Sequence, residues 1–239
     1  MAIGSIPTRK APPAKAPPRL PWGTREVAKA VSVIIVGMLA LVVLAASVAK
    51  NVDLSKAPLG LILSGVIQIV LIFTTWRFTV ADRRGRWRDL GFRKKLRRAT
   101  WGYVPMGIAC CLVIAMIYGL IAQATGIDDR LKPEFLDDPA HAYFFAGGLL
   151  AIAVAPVVEE TFFRGFVFAG LSREMKFWSA AFFSAMLFTL AHLEPALFVP
   201  IFLIGLLMAY VYKRTGSLWI NILVHMGYNA TIFAIAVFG

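Results

Sequence analysis

Two adjacent glutamates, Glu159 and Glu160, lie inside an apolar stretch that is long enough to enter a membrane. A charged side chain at the centre of a bilayer costs about 2.5–3.5 kcal/mol on insertion scales, so ionisable residues found there usually have a function. Two histidines, His192 and His225, follow in comparable apolar runs. Carboxylates and imidazoles are the usual groups of general acid–base catalysis. These four residues therefore predict a catalytic site within the membrane.

The two glutamates cannot share one face of a helix, because neighbouring helical residues point about 100° apart. Glu160 and Arg164 are four residues apart, so they lie on the same face and are expected to form an ion pair. Glu159 has no local partner, which makes it the better candidate for a general base. The alternative is a structural Glu159 that is hydrogen-bonded to another helix.

Each histidine has a companion one helical turn away. Phe188 precedes His192 by four residues, and Asn229 follows His225 by four, so each pair shares a helix face. Phe188 could line a dry pocket beside His192. Asn229 could hydrogen-bond a group next to His225 or act as an oxyanion donor. The alternative for each histidine is an ordinary core residue with satisfied hydrogen bonds.

Zinc chemistry is an open alternative to a glutamate base. Glu159, His192 and His225 could supply one carboxylate and two imidazoles, which is a typical open catalytic ligand set. The sequence contains no His-Glu-x-x-His motif that would impose metal geometry locally. A glutamate-based mechanism would require no cofactor, so the expectation is that none is required and that zinc is possible.

The elements that carry these residues are predicted to be membrane helices. Apolar residues form 59% of the chain, charged residues form 16%, and the mean hydropathy is +0.73, whereas soluble domains have about 25% charged residues. The fold class is therefore all-α, a polytopic helical membrane protein with about seven to eight transmembrane helices. The predicted spans are 27–49, 57–79, 101–124, 142–170, 177–193, 196–213 and 216–238. The fourth could be kinked at Pro156 or contain a re-entrant piece.

The net charge of +12 comes largely from basic residues beside the predicted spans. This placement favours lipid headgroups rather than nucleic acid as the partner, and it predicts a cytoplasmic N-terminus. The Pro-rich basic segment 1–24 is expected to be a disordered tail. Residues 25–239 would then form the helical membrane domain.

Three motifs together resemble the CPBP family of intramembrane proteases, which includes the Ras-converting CAAX prenyl endopeptidases and the bacterial Abi (bacteriocin-immunity) proteins. They are Glu159-Glu160-x-x-x-Arg164, Phe188-x-x-x-His192 and His225-x-x-x-Asn229, in the order that the family has. The resemblance covers about residues 85–235, and its early part rests on the stretch from Asp89 to Phe92.

The resemblance implies a CAAX-endopeptidase-like intramembrane protease core. It also implies that Glu159 and His192 activate water, that His225 and Asn229 stabilise the oxyanion, and that Glu160 and Arg164 support the site. The depths of the three residues in their predicted spans differ. At 1.5 Å per residue, Glu159, His192 and His225 lie about 18, 22 and 13 Å from the cytoplasmic ends of their spans. They can meet only if helices kink or begin at different depths.

The first functional hypothesis is an intramembrane endopeptidase of a bacterial cytoplasmic membrane, acting on a membrane-embedded, membrane-associated or lipid-modified peptide or protein. The second is a non-catalytic membrane-binding or bacteriocin-immunity protein on the same fold, in which the same polar groups recognise a partner. The third is a transporter that uses the carboxylates as a proton relay. The lack of paired inverted halves in the sequence weakens the third.

Overall fold

The computed structural model of the chain describes residues 20–51, 56–93, 96–126 and 142–238. Within these ranges all regular secondary structure is helical, as the sequence predicts. Its main elements are α1 (Thr24–Asn51), α2 (Lys56–Trp76, extended by a π turn at Arg77–Ala81), α3 (Tyr103–Thr125), α4 (142–171), α5 (Phe177–Ala191), α6 (Phe198–Thr215) and α7 (Leu218–Phe238).

Six of the described helical segments are long and apolar enough to cross a membrane. They are Thr24–Leu44, Gly60–Ala81, Arg98–Thr125, Phe144–Leu171, Pro195–Thr215 and Leu218–Phe238. Helix α5 has only 15 residues, or about 23 Å at 1.5 Å per residue, whereas the hydrocarbon core is about 30 Å thick. The expectation of seven to eight transmembrane helices is therefore corrected, for the described ranges, to seven helices with six candidate spans.

The outer faces of these helices are apolar. Large hydrophobic side chains of α1 and α2 are more than half exposed, among them Val36, Leu39, Val43 and Ile69. Soluble monomers rarely expose contiguous apolar surfaces of this kind. Lipid is the solvent that such a surface requires, so the chain is an integral membrane protein.

Helix α4 carries both glutamates and changes its hydrogen-bonding pattern along its length. It consists of α-helical and π-helical pieces, in the order Ala142–Leu149, Leu150–Val154 (π), Ala155–Glu159, Glu160–Phe168 (π) and Ala169–Leu171. Pro156 lies between the two π stretches and has no N–H to donate. The backbone stays helical through Pro156, so α4 is one helix without a re-entrant break, and the register of its hydrogen bonds changes along it. Such π stretches occur frequently at functional sites.

Two side chains from other elements bond to carbonyls of the second π stretch. Ser184 of α5 donates from Oγ to the carbonyl of Phe163 at 2.8 Å, and Trp22 donates from Nε1 to the carbonyl of Phe166 at 3.1 Å. These bonds satisfy backbone acceptors where no water is available. They also fix the part of α4 that follows Glu159.

The segment before α1 is packed in its described part. Trp22 is fully buried, so the packed structure begins before residue 25, where the membrane domain was expected to start. Residues 1–19 of the predicted disordered tail lie outside the described residues.

The stretch from Asp89 to Phe92 packs against the second π stretch of α4. Leu90 is fully buried, and its carbonyl accepts a hydrogen bond from Tyr212 Oη at 2.8 Å. The carbonyl of Gly91 accepts from the backbone N–H of Leu218, the first residue of α7. A Cβ on Gly165 would lie 2.9 Å from the Leu90 carbonyl oxygen, so this close contact requires glycine.

Candidate active site

The four residues predicted to be catalytic border a single cavity. Glu159 of α4, His192 at the end of α5, and His225 and Asn229 of α7 all line a space of about 410 Å³. The sequence placed Glu159, His192 and His225 at different depths in their helices. The short helix α5 accounts for part of this difference, since His192 follows the last residue of a helix that is shorter than a membrane span. The remainder of the lining is mostly apolar, as in most ligand sites.

A second cavity of about 480 Å³ lies between α1, α2 and the same part of α4 and α5. Glu159 and His192 line this cavity too. They are the two residues that the linings of the two cavities share. These two side chains therefore stand at the boundary between a space bordered by α1 and α2 and a space bordered by α6 and α7.

Glu160 lines neither cavity and is fully buried. Its Oε1 lies 3.0 Å from Arg164 Nη1, which confirms the ion pair that the spacing of these residues predicts. The same oxygen lies 3.0 Å from His225 Nδ1, and Oε2 accepts from Asn221 Nδ2 at 3.2 Å. Buried charges of this kind need partners, and Glu160 has three.

Arg164 is buried as completely as Glu160 and has partners of its own. Its guanidinium carbon lies 4.2 Å from the centroid of the Phe188 ring, within cation–π distance. Its Nη2 donates to the carbonyl of Gly205 on α6 at 3.4 Å. A Cβ on Gly205 would lie 2.9 Å from that of Ala185, so glycine permits the close approach of α5 and α6 here. Arg164 thus joins α4 to α5 and α6.

Glu159 is half-buried and points into the cavities. Its Oε1 accepts a hydrogen bond from Gln68 Nε2 of α2 at 3.1 Å. The interhelical partner that was considered as the structural alternative is therefore present. A single bond to one carboxylate oxygen leaves acceptor capacity on Glu159.

The tautomer of His192 follows from its partner. Nδ1 lies 2.7 Å from the carbonyl oxygen of Phe188. A carbonyl oxygen can only accept, so Nδ1 carries the proton and Nε2 of the neutral ring is the acceptor. The Phe188 ring stands edge-on against His192 with centroids 4.6 Å apart. Phe188 therefore fixes both the proton and the orientation of this imidazole.

His225 and Asn229 are the site residues of α7, and each forms a hydrogen bond to α4. The carboxylate of Glu160 can only accept, so His225 donates from Nδ1 and presents Nε2 elsewhere. Asn229 donates from Nδ2 to the carbonyl of Ala151 in the first π stretch of α4 at 2.8 Å. Its amide nitrogen carries a second N–H. Asn229 thus bonds to α4 rather than to a group beside His225.

The zinc alternative concerns Glu159, His192 and His225. Within the described ranges, no three His, Cys, Asp or Glu side chains are grouped in a way that could hold a metal ion. His225 uses Nδ1 for Glu160, and His192 uses Nδ1 for the Phe188 carbonyl, so Nε2 of each ring stays available as a ligand atom. Zinc therefore stays an alternative, and the chemistry below is derived from the side chains alone.

Two residues of the site were not identified from the sequence. Asn221 bonds both Glu160 and the carbonyl of Met208, at 3.2 and 2.8 Å. It lies four residues before His225, and Asn229 lies four after it, so a repeated polar spacing on one helix face was available as a signal. Gln68 had a weaker signal, a single amide within an apolar run of α2.

Comparison with known proteins finds one family that the site-bearing segment resembles. Residues 141–231 match the family described as type II CAAX prenyl endopeptidase Rce1-like. This segment, less than half of the chain, is similar to the Rce1-like CAAX endopeptidase (CPBP) family. The matched segment contains all seven residues that the sequence motifs singled out. It begins well after the Asp89–Phe92 stretch, so it is shorter than the range 85–235 expected from the resemblance.

Two bacterial proteins are similar to parts of the chain. YdiL of Bacillus subtilis (strain 168), named as a candidate membrane peptidase, is 26% identical over 84 residues, which are 35% of this chain and 34% of YdiL. The chain thus matches about a third of YdiL. The UPF0177 protein YbdI of Lactococcus lactis subsp. lactis (strain IL1403) is 27% identical over 175 residues, 70% of this chain and 91% of YbdI. No solved structure matches the chain.

Proposed function

We propose that the protein is an intramembrane endopeptidase in which Glu159 and His192 activate the water that attacks a peptide carbonyl. The observation that carries this proposal is the shared position of the two side chains at the boundary of both cavities. One space could hold the substrate while water reaches the other. The match of residues 141–231 to a peptidase family gives further support.

The chemical roles follow from the hydrogen bonds. Glu159 retains acceptor capacity, and His192 presents Nε2 as a second acceptor. In the attack, a water proton passes to Glu159, the water oxygen bonds to the carbonyl carbon, and the carbonyl π electrons move to oxygen. Collapse breaks the C–N bond, and the proton held by Glu159 passes to the leaving amine. This is general base and then general acid catalysis by one group.

The oxyanion donors would be His225 and Asn229. Both border the same cavity as Glu159, on the α7 side. Asn229 has a second amide N–H after bonding Ala151, and His225 can donate from Nε2 when it is doubly protonated. Donors fixed in advance by other bonds are the kind that stabilise a developing oxyanion. Glu160, Arg164 and Phe188 would then hold these groups rather than react.

The substrate that we propose is a peptide or protein segment embedded in or associated with the membrane. The cavities border helices whose outer faces are suited to lipid. The two similar proteins are bacterial, so we do not assign a prenylated CAAX substrate. The basic residues beside the spans favour a cytoplasmic N-terminus in a bacterial cytoplasmic membrane.

The test is cleavage of a library of membrane peptides by the purified protein in detergent, with and without a chelator. We expect defined products with wild-type protein, the same products in chelator, and none with Glu159→Gln. Loss of cleavage in chelator would instead support the zinc alternative. Absence of any product that depends on Glu159 would favour the non-catalytic binding or immunity protein.

A further inference from the structure

Gln68 is the residue of α2 that contacts the proposed catalytic base. It lies within the candidate span Gly60–Ala81, and its side chain is 8% exposed. Its Nε2 donates to Glu159 Oε1 at 3.1 Å. A primary amide in an apolar span is costly unless it is hydrogen-bonded, so such residues usually have a specific task.

The hydrogen bonds of Gln68 are not those of a structural amide. A buried structural amide normally has both its oxygen and its nitrogen satisfied. The Oε1 of Gln68 is buried and accepts no hydrogen bond from any group in the described part of the chain. The bond to Glu159 is therefore the interaction that explains why a glutamine is present at this position. The amide of Gln68 is oriented towards Glu159 and, within the described part of the chain, is not part of a wider hydrogen-bond network.

Gln68 also lies on a distinct side of Glu159. It lines the cavity bordered by α1 and α2 together with Glu159 and His192. The oxyanion candidates His225 and Asn229 line the other cavity. A bond from the α2 side therefore restrains the Glu159 carboxylate at the boundary where both spaces meet. Without it, the side chain could rotate into either space.

We propose that Gln68 is a positioning residue that fixes the orientation of Glu159 during catalysis. The proposal rests on the proposed function, in which Glu159 is the general base. Gln68 lies outside the family segment 141–231, so a residue of α2 would complete the catalytic arrangement. Small displacements of a catalytic group can cost about 100-fold in rate.

The kinetic test compares Gln68→Met with Ile69→Met in the same protein. Methionine keeps the length of the glutamine side chain and removes the amide. Ile69 is the next residue of α2, is 67% exposed and lines neither cavity, so the same methionine there is the matched control. We expect kcat to fall about 10–100-fold in Gln68→Met with KM changed less than about twofold, because an interaction that orients the base acts on the reaction step. Ile69→Met should retain the wild-type kcat.

Glu159→Gln distinguishes a failure of the Gln68 proposal from a failure of the proposed function. An inactive Glu159→Gln together with a fully active Gln68→Met would overturn the role of Gln68 and leave the proposed function intact. A fully active Glu159→Gln would overturn the proposed function and, with it, the role of Gln68.

The contact itself is tested without activity. We expect Gln68→Met to lower the unfolding temperature in detergent, and to lower it less in a Glu159→Met background, since the two residues share one hydrogen bond. Equal shifts in both backgrounds would show that Gln68 does not act through Glu159. These measurements also establish that each variant is folded before its kinetics are interpreted.

Discussion

His225 and Glu160 are joined by a hydrogen bond of 3.0 Å between Nδ1 and Oε1. Glu160 comes from α4 and His225 from α7, so the bond ties together the two helices that carry the base and the proposed oxyanion donors. The bond also fixes which nitrogen of His225 carries a proton. Neutral His225 would present a lone pair at Nε2, and only the imidazolium would present a second donor.

This geometry predicts that His225→Gln lowers kcat. His225 bonds Glu160 and borders the cavity that Glu159 lines. Glutamine cannot reproduce both the contact with Glu160 and the position of Nε2, so the oxyanion would lose a donor. Loss of one such donor typically costs about 100- to 1,000-fold in kcat. A folded His225→Gln protein with the wild-type kcat would remove His225 from the oxyanion site.

Arg164→Met should destabilise the protein strongly. Removing one partner of a buried ion pair leaves an unpaired charge, which typically costs about 3–5 kcal/mol. Here the guanidinium also contacts the Phe188 ring and the Gly205 carbonyl. Thermal unfolding in detergent would measure the effect, with Arg98→Met as the control because Arg98 is exposed. Similar unfolding temperatures for the two variants would contradict the structural role of Arg164.

Phe188→Leu should reduce both stability and rate. The ring is 2% exposed and packs edge-on against His192, with centroids 4.6 Å apart. Loss of the ring contacts in a packed core is expected to cost about 0.5–3 kcal/mol, and it would free the His192 imidazole to turn. Phe183→Leu is the matched control on the same helix, since Phe183 is 49% exposed. If both variants kept the wild-type kcat, Phe188 would not be needed to orient His192.

Much of the fold could be predicted from the sequence because a bilayer restricts what a chain can do. The predicted spans 101–124, 142–170 and 216–238 lie close to the observed helices Tyr103–Thr125, 142–171 and Leu218–Phe238. The segment 177–193 was also helical, but it was counted as a span. Helix α5 ends at Ala191, before it is long enough to cross, and His192 at its end lines the same two cavities as Glu159. Apolar periodicity does not reveal such a difference of two residues.

Contacts within one helix of the site could be predicted from the sequence, whereas contacts between helices could not. The Glu160–Arg164 pair and the divergence of Glu159 follow from helix geometry alone, so spacing was enough to predict them. The bonds of Glu159 to Gln68 and of Glu160 to His225 join residues that are 91 and 65 positions apart. No local pattern determines such pairs. The π stretches around Pro156 were also not predicted, because they depend on donors from other elements.

The most direct test of the central claim is the rate of peptide hydrolysis by Glu159→Gln, measured on a substrate that the wild-type protein cleaves. Glu174→Gln is the control, since Glu174 is exposed and lies after the end of α4. We expect kcat for Glu159→Gln to fall about 100- to 10,000-fold, the usual contribution of a general base, while Glu174→Gln remains fully active. A folded Glu159→Gln protein that hydrolyses the peptide at the wild-type rate would contradict the account.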